Sequence, residues 1–213
     1  MIAVISGSTG LTGSLLISKL LADNSINQVI SVSRKSVNIN HPKLTEVLIS
    51  DFSKLFEYKN QLKGDIYFCC LGTTIKTAGT KINFRKVDYD AILEFGKIAR
   101  LHNSQSLTVI SAMGANPKST IFYNKVKGET EKALMELKLN RLVLIRPALL
   151  IGDRSESRPT EKAVMTIVNS MISFMPASLY QKIATPIESL ANKMIKEGKS
   201  FSSEVKIINA KEI

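Results

Sequence analysis

The sequence begins with an apolar run, Ile2-Ala3-Val4-Ile5-Ser6, that ends directly on Gly7-Ser8-Thr9-Gly10-Leu11-Thr12-Gly13. Three glycines at this spacing, between a β-prone run and an amphipathic helical pattern, leave few folds open. Gly7 permits the tight turn, Gly10 lets backbone approach a pyrophosphate, and Gly13 lets the helix pack close to the sheet. Thr9, Leu11 and Thr12 fill the loop and the helix start, where free N–H groups face an anion. A Walker-type loop is excluded, because no Gly-Lys-Ser/Thr follows to supply the lysine and the magnesium ligand.

The rest of the chain repeats the theme. Strand-like runs fall at Ile2–Ser6, Gln28–Ser33, Leu44–Ile49, Asp65–Leu71, Ser106–Ser111 and Arg141–Arg146, with a last one at Glu204–Asn209. Most are continuously apolar, as strands are when both faces of a parallel sheet are covered. Helical patterns lie between them. Residues 81–101 place Phe84, Val87, Ala91, Phe95 and Ile98 on one face, and residues 120–138 form a second long helix. The alternation predicts an α/β, doubly wound and mostly parallel sheet with helices on both faces.

After Arg146 the pattern changes. Residues 147–160 read as loop, 161–175 as a helix, and Thr185-Pro186-Ile187-Glu188 as a helix start with Thr185 as cap and Gly198 as its stop. Residues 1–213 are expected to form one domain, with 147–200 contributing a small cap over one edge of the sheet.

Charge poses the main competing reading. The chain carries 29 Lys+Arg against 18 Asp+Glu, a formal +11. Such a balance suits nucleic acid or an anionic membrane. No helix-turn-helix, zinc or RNA-binding signature accompanies it, and no apolar stretch approaches the roughly 20 residues of a membrane span. Neither partner is expected. The two histidines, His41 and His102, belong to no metal-ligand cluster, so no metal is expected. Cys69 and Cys70 sit in an apolar run and read as small buried residues. With no leader-like start, a cytoplasmic protein is the expectation.

Two further patterns bear on chemistry. The end of the second strand offers Ser33-Arg34-Lys35, with no acid between Asp23 and Glu46. A cofactor lacking a 2′-phosphate usually meets an acid here, whereas Arg34 and Lys35 welcome a phosphate monoester. NADP(H) is therefore favoured over NAD(H). The helix at 120–138 carries Tyr123 and Lys127, four apart and on one face. An ammonium beside a phenol favours the phenolate, which makes tyrosine a usable acid and base. Ser111, at the end of the fifth strand, offers a hydroxyl for a substrate oxygen.

These motifs together resemble a short-chain dehydrogenase/reductase of the atypical kind, within it the Tat-interacting-protein-like branch. The matching stretches are the glycine loop, Cys70 to Thr74, Val87-Asp88, Phe122-Tyr123 through Glu129, Ile145-Arg146-Pro147, Asp153-Arg154, Glu156 to Pro159 and Asn209 to Ile213. The resemblance implies a Rossmann fold binding a nicotinamide dinucleotide. It assigns Asp51 and Phe52 to adenine, and Leu71, Gly72, Thr73 and Thr74 to the adenosine ribose and phosphates. Lys127 is assigned to the nicotinamide ribose, and Pro147, Ala148 and Leu149 to the nicotinamide. Where relatives carry a second serine this chain has Ala112, followed by Met113; Ser119 and Thr120 are fallback hydroxyls that read first as helix caps. Met113, Arg154 and Arg158 are the candidate substrate contacts, although Arg154 and Arg158 equally fit a solvated loop.

The implied activity is hydride transfer to or from a small carbonyl or alcohol, by a monomer or homodimer. The alternative is a dinucleotide-binding regulatory, sensor or interaction protein with little or no turnover.

Overall fold

A computed structural model of the chain describes residues 1–151 and 184–213. Seven parallel strands form its central sheet: β1 (Ile2–Ser6), β2 (Gln28–Ser33), β3 (Leu44–Leu48), β4 (Ile66–Cys69), β5 (Ser106–Ile110), β6 (Leu142–Arg146) and, after two short strands, β9 (Val205–Asn209). Their order is β3-β2-β1-β4-β5-β6-β9. The order reverses between β1 and β4, and a crevice opens at such a switch point, beyond the carboxyl ends of the strands. Strand pairing fixes the register there, with Ser6 opposite both Val32 and Cys69.

Strand alternation explains the two cores. Ala3, Ile5 and Phe68 face one side of the sheet, where they meet Leu16, Ile17 and Leu20 of α1 (Leu11–Ala22). Val4 and Tyr67 face the other side, against Phe95 and Ile98 of α4 (Ile92–Leu101) and Leu134 of α5 (Phe122–Glu136). Each fully buried side chain of this size contributes about 1.5–3 kcal/mol through removal from water. Both faces are covered, which is why the strands read as continuous apolar runs.

Between β4 and α4 the chain forms α2 (Ile75–Ala78) and α3 (Lys81–Arg85), then a π-helical turn over Lys86–Ala91. Thr74 and Thr80 cap α2 and α3 through their side chains. Residues 81–101 are thus helical throughout, as the periodicity predicts, but the inward position near Ala91 differs. Asp88 is completely buried, while Val87 is only partly so. A π-turn is the wider, less regular winding that tends to mark functional sites.

The segment expected as a cap divides. β7 (Leu149–Ile151) pairs in parallel with β8 (Ala184–Pro186). Helix α6 (Ile187–Gly198) buries Leu190, Ala191 and Met194 in the same core as α1. It therefore completes a helical layer of the sheet rather than covering its edge. The helix begins after Pro186, and Thr185 does not cap it: its hydroxyl accepts from the amide of Ala148 over 3.0 Å. Gly198 is the last helical residue rather than the residue beyond the stop. The predicted helix at 161–175 lies outside the described residues.

Arg141 locks the C-terminal elements. Its buried guanidinium meets Glu197 at 2.8 Å and Glu204 at 2.6 Å, joining the start of β6 to α6 and to the approach of β9.

Candidate active site

The glycine loop follows β1 into the crevice. Gly7 has φ +81°, and a Cβ there would lie 2.6 Å from the carbonyl carbon of Cys70. A Cβ on Gly13 would lie 2.1 Å from the carbonyl oxygen of Gly7. Only glycine fits these two places. Ser8 is pinned from below, its hydroxyl 2.6 Å from that of Ser31 on β2.

No side chain caps α1. Its first bond back into the helix is from Ser14 to Gly10, so the amides of Leu11, Thr12 and Gly13 keep the unpaired state of a helix start. The hydroxyl of Thr12 is buried and lacks a partner among the described residues. An uncapped helix end, a glycine-walled cradle and an orphaned hydroxyl fit a pyrophosphate.

Arg34 and Lys35 stand where the sequence places them, exposed just beyond β2. Neither pairs with an acid among the described residues. Glu46, the next acid along the chain, is turned to the backbone loop: it accepts from Ser36 Oγ at 2.7 Å and from the Val37 amide at 2.8 Å. Asp51 caps the 3₁₀ segment Phe52–Leu62, accepting from the Ser53 amide and hydroxyl, which hold its carboxyl below the usual range. Phe52 packs against the core.

The helix α5 presents Tyr123, Lys127 and Glu131 at every fourth position, toward the sheet end. Tyr123 is partly buried, its ring 5.6 Å from that of Phe84. Lys127 is buried, and its Nζ lies 2.7 Å from Oδ1 of Asp88. Burial alone would lower the lysine pKa. The Asp88 carboxylate, with smaller contributions from Tyr123 and Cys69, outweighs that and holds it above the ordinary value. Lys127 is a firm ammonium.

Asp88 is a buried residue of this arrangement that the sequence reading passed over, although Val87-Asp88 belongs to the matching stretches. Its Oδ2 accepts from the amide of Thr73 at 2.8 Å, and its backbone carbonyl accepts from Thr130 Oγ1 at 2.8 Å. Gly72 lies beside it: a Cβ there would be 3.6 Å from Asp88 Oδ1 and 3.8 Å from Lys127 Nζ. The loop Leu71–Thr74 and the helix carrying Tyr123 thus meet on one carboxylate.

Ser111 is engaged within the protein. Its hydroxyl donates to Oε1 of Glu131 over 2.5 Å, and Arg146 holds the same carboxylate at 2.5 Å. In this arrangement the Ser111 proton goes to Glu131. Ser119 accepts from the amide of Ile121, and α5 begins at Phe122, so Thr120 does not cap it. Met113 is exposed, its amide bonded to the carbonyl of the buried Pro147 over 2.9 Å. Leu149 is exposed as well, with Ala148 between them. Arg154 and Arg158 lie outside the described residues. Among the described residues no cluster of histidine, cysteine or acid could hold a metal, and no helix is long and apolar enough to cross a membrane.

This geometry can be set beside known proteins. No family model matches the chain. Protein HTATIP2 of Rattus norvegicus is 31% identical over 212 residues, covering 98% of this chain and 86% of the relative. The chain belongs to the HTATIP2 family. Protein fmp52, mitochondrial, of Emericella nidulans is 31% identical over 206 residues, covering 93% of this chain and 88% of the relative. FMP52 of Candida albicans is 34% identical over 161 residues, covering 74% and 70%.

Among solved structures, MoeE5 in complex with UDP-glucose and NAD superposes with a TM-score of 0.76 at 14% identity, covering 98% of this chain and 75% of that one. A UDP-galactose 4-epimerase superposes at 0.73 and 14%, covering 98% and 76%. At such identities the likeness establishes the Rossmann fold. One expectation falls. The fungal relatives are named mitochondrial, which contradicts the cytoplasmic assignment drawn from the start of the chain.

Proposed function

We propose that the chain is an NADP(H)-dependent oxidoreductase of the atypical short-chain dehydrogenase/reductase type, acting on a small carbonyl or alcohol. One observation carries this reading. Tyr123 shares a helix face with a buried Lys127 whose charge Asp88 maintains, beside the loop that approaches the dinucleotide cradle. Several structural neighbours are described in complex with NAD, which supports a nicotinamide dinucleotide in the same crevice.

The residues present fit such a cofactor. Leu11, Thr12 and Gly13 would meet its pyrophosphate, Leu71 to Thr74 the adenosine side, and Lys127 the nicotinamide ribose. Pro147, Ala148 and Leu149 would lie against the nicotinamide. Arg34 and Lys35 would take the 2′-phosphate through charge-assisted bonds, which favours NADP(H). When bound, the cofactor supplies or accepts the hydride. Tyr123 gives a proton to the carbonyl oxygen on reduction and takes one from the alcohol on oxidation. The test is consumption of NADPH with a panel of aldehydes and ketones, by the protein and by Tyr123→Phe. Loss of turnover with cofactor binding retained supports the assignment; full activity in the variant removes tyrosine from the mechanism.

A second reading rests on Ser111. Its hydroxyl donates to Glu131 rather than standing free toward the cleft. That favours a dinucleotide-binding sensor or interaction protein with little turnover. NADPH binding without consumption across the panel would select it.

A further inference from the structure

Asp88 is completely buried on an irregular turn of helix, where an ammonium pairs with its carboxylate, one amide hydrogen-bonds to it and a hydroxyl bonds its backbone carbonyl. Lys127 and Thr130 come from α5 and the Thr73 amide comes from the loop after β4. Burying a carboxylate is costly unless it is paired and hydrogen-bonded, and here both conditions are met. We propose that Asp88 is a positioning residue of the site: its carboxylate holds the Lys127 ammonium in place and ties the 71–74 loop to the helix that carries Tyr123. The proposal rests on the reading of Lys127 as partner of Tyr123 and of the dinucleotide.

The surroundings of Lys127 leave this task to Asp88. Tyr123 lies on its own helix, and Cys69 faces it from β4. Burial pushes the Cys69 thiol up to about 12, so it stays neutral. Glu131 lines a cavity of about 10 Å³ together with Lys127 and Ser111. Its carboxylate is already held by Arg146. Of the facing groups, Asp88 is the anion available to balance the ammonium.

Asp88→Asn tests this. The amide keeps the size and an acceptor for Thr73 but removes the charge. Burial is then opposed only weakly, and Lys127 gives up its proton more easily. Two readouts follow the change in protein that folds as the wild type does. The first is the titration of the Lys127 Nζ by ¹⁵N NMR in ligand-free protein. The second is NADPH affinity by fluorescence between about pH 6 and 11, the range that spans ordinary lysine titration.

In Asp88→Asn the lysine midpoint falls by about one unit or more, a tenfold loss of proton affinity. NADPH affinity weakens about tenfold at an alkaline pH where the wild type is unaffected. A lysine midpoint unchanged by the substitution overturns the proposal. So do affinity curves that superimpose after scaling, since a merely structural residue lowers affinity at every pH. If the wild type binds no NADPH, the oxidoreductase reading fails, and the lysine titration alone still decides the role of Asp88. If Asp88→Asn does not fold, the double variant Asp88→Asn/Lys127→Met removes both charges and recovers stability. A double variant as unstable as the two single changes predict together overturns the pairing.

Discussion

Ser111 donates its hydroxyl to Glu131 over 2.5 Å, on the same helix face that carries Tyr123 and Lys127. Arg146 bonds both oxygens of that carboxylate, from Nε at 2.9 Å and Nη2 at 2.5 Å. The serine thus joins the end of β5 to α5 and β6. Ser111→Ala is expected to cost about 1 kcal/mol of stability, the ordinary worth of one hydrogen bond. Turnover should fall by less than about tenfold, against the 10²–10⁴ of a lost acid/base group. Urea unfolding and kcat/KM measure the two. A hundredfold loss of kcat/KM without loss of stability would return Ser111 to the reacting atoms.

Arg34 and Lys35 give a second prediction. Both are exposed, so their replacement should leave the fold intact. Arg34→Ala/Lys35→Ala is expected to weaken NADPH binding by roughly 10–100-fold, the loss of one or two charge-assisted phosphate contacts. NADH binding should change little. Calorimetric titration with both dinucleotides compares them. Equal losses for the two would remove the 2′-phosphate from the argument.

The cradle gives a third. A methyl on Gly13 meets the carbonyl oxygen of Gly7, a backbone atom that cannot swing away. Gly13→Ala should therefore shift the turn and lose dinucleotide affinity by more than about tenfold, along with about 1–3 kcal/mol of stability. Thermal unfolding with and without NADPH reads both. The variant should show no ligand-induced rise in Tm.

Acid sensitivity gives the fourth. Lys199 and Ser25 hydrogen-bond to Asp23 and depress its pKa from 3.8 to about 2. A carboxyl depressed on folding contributes stability above its unfolded pKa and loses it as pH falls through the folded one. The contribution of this bridge, 2.7 Å long, is therefore full above about pH 4 and gone below about pH 2. Urea midpoints of the wild type and Asp23→Asn should differ at pH 6 and converge toward pH 2. Midpoints that stay equally far apart across this range would show that the pair adds nothing.

Much of the architecture is written in local pattern. β1 and β2 carry the bounds read from the apolar runs, because strands covered on both faces have no polar interruptions until they end. The other five strands of the central sheet differ only by a residue or two at their ends, whereas β7 and β8 lie outside the predicted strands. The site is less legible. Asp88 lies in a helix whose periodicity points to Val87, and nothing in a helical wheel announces a π-turn or a buried acid. Glu131 sits four residues after Lys127, but its grip on Ser111 depends on β5 and β6 arriving from elsewhere in the chain. Thr185 and Pro186 form a persuasive helix start in isolation. Pairing with β7 claims them instead, which moves the start of the helix along to Ile187. Such misses share a cause: partners distant in sequence decide between local options that are nearly equal.

The place of β1 in the sheet also bears on how the molecule is made. β1 precedes the other strands in the chain yet ends in the interior, paired with β2 on one side and with β4 on the other. Its glycine loop rests on the backbone of Cys70 and Leu71, so the cradle cannot close before those residues exist. An apolar segment synthesised before β4 must wait for a partner made some sixty residues later. Parallel pairings of this kind are slow to form, and waiting strands are prone to aggregate. Recombinant yield should therefore respond to elongation speed and chaperone supply during translation of the stretch from β1 to β4.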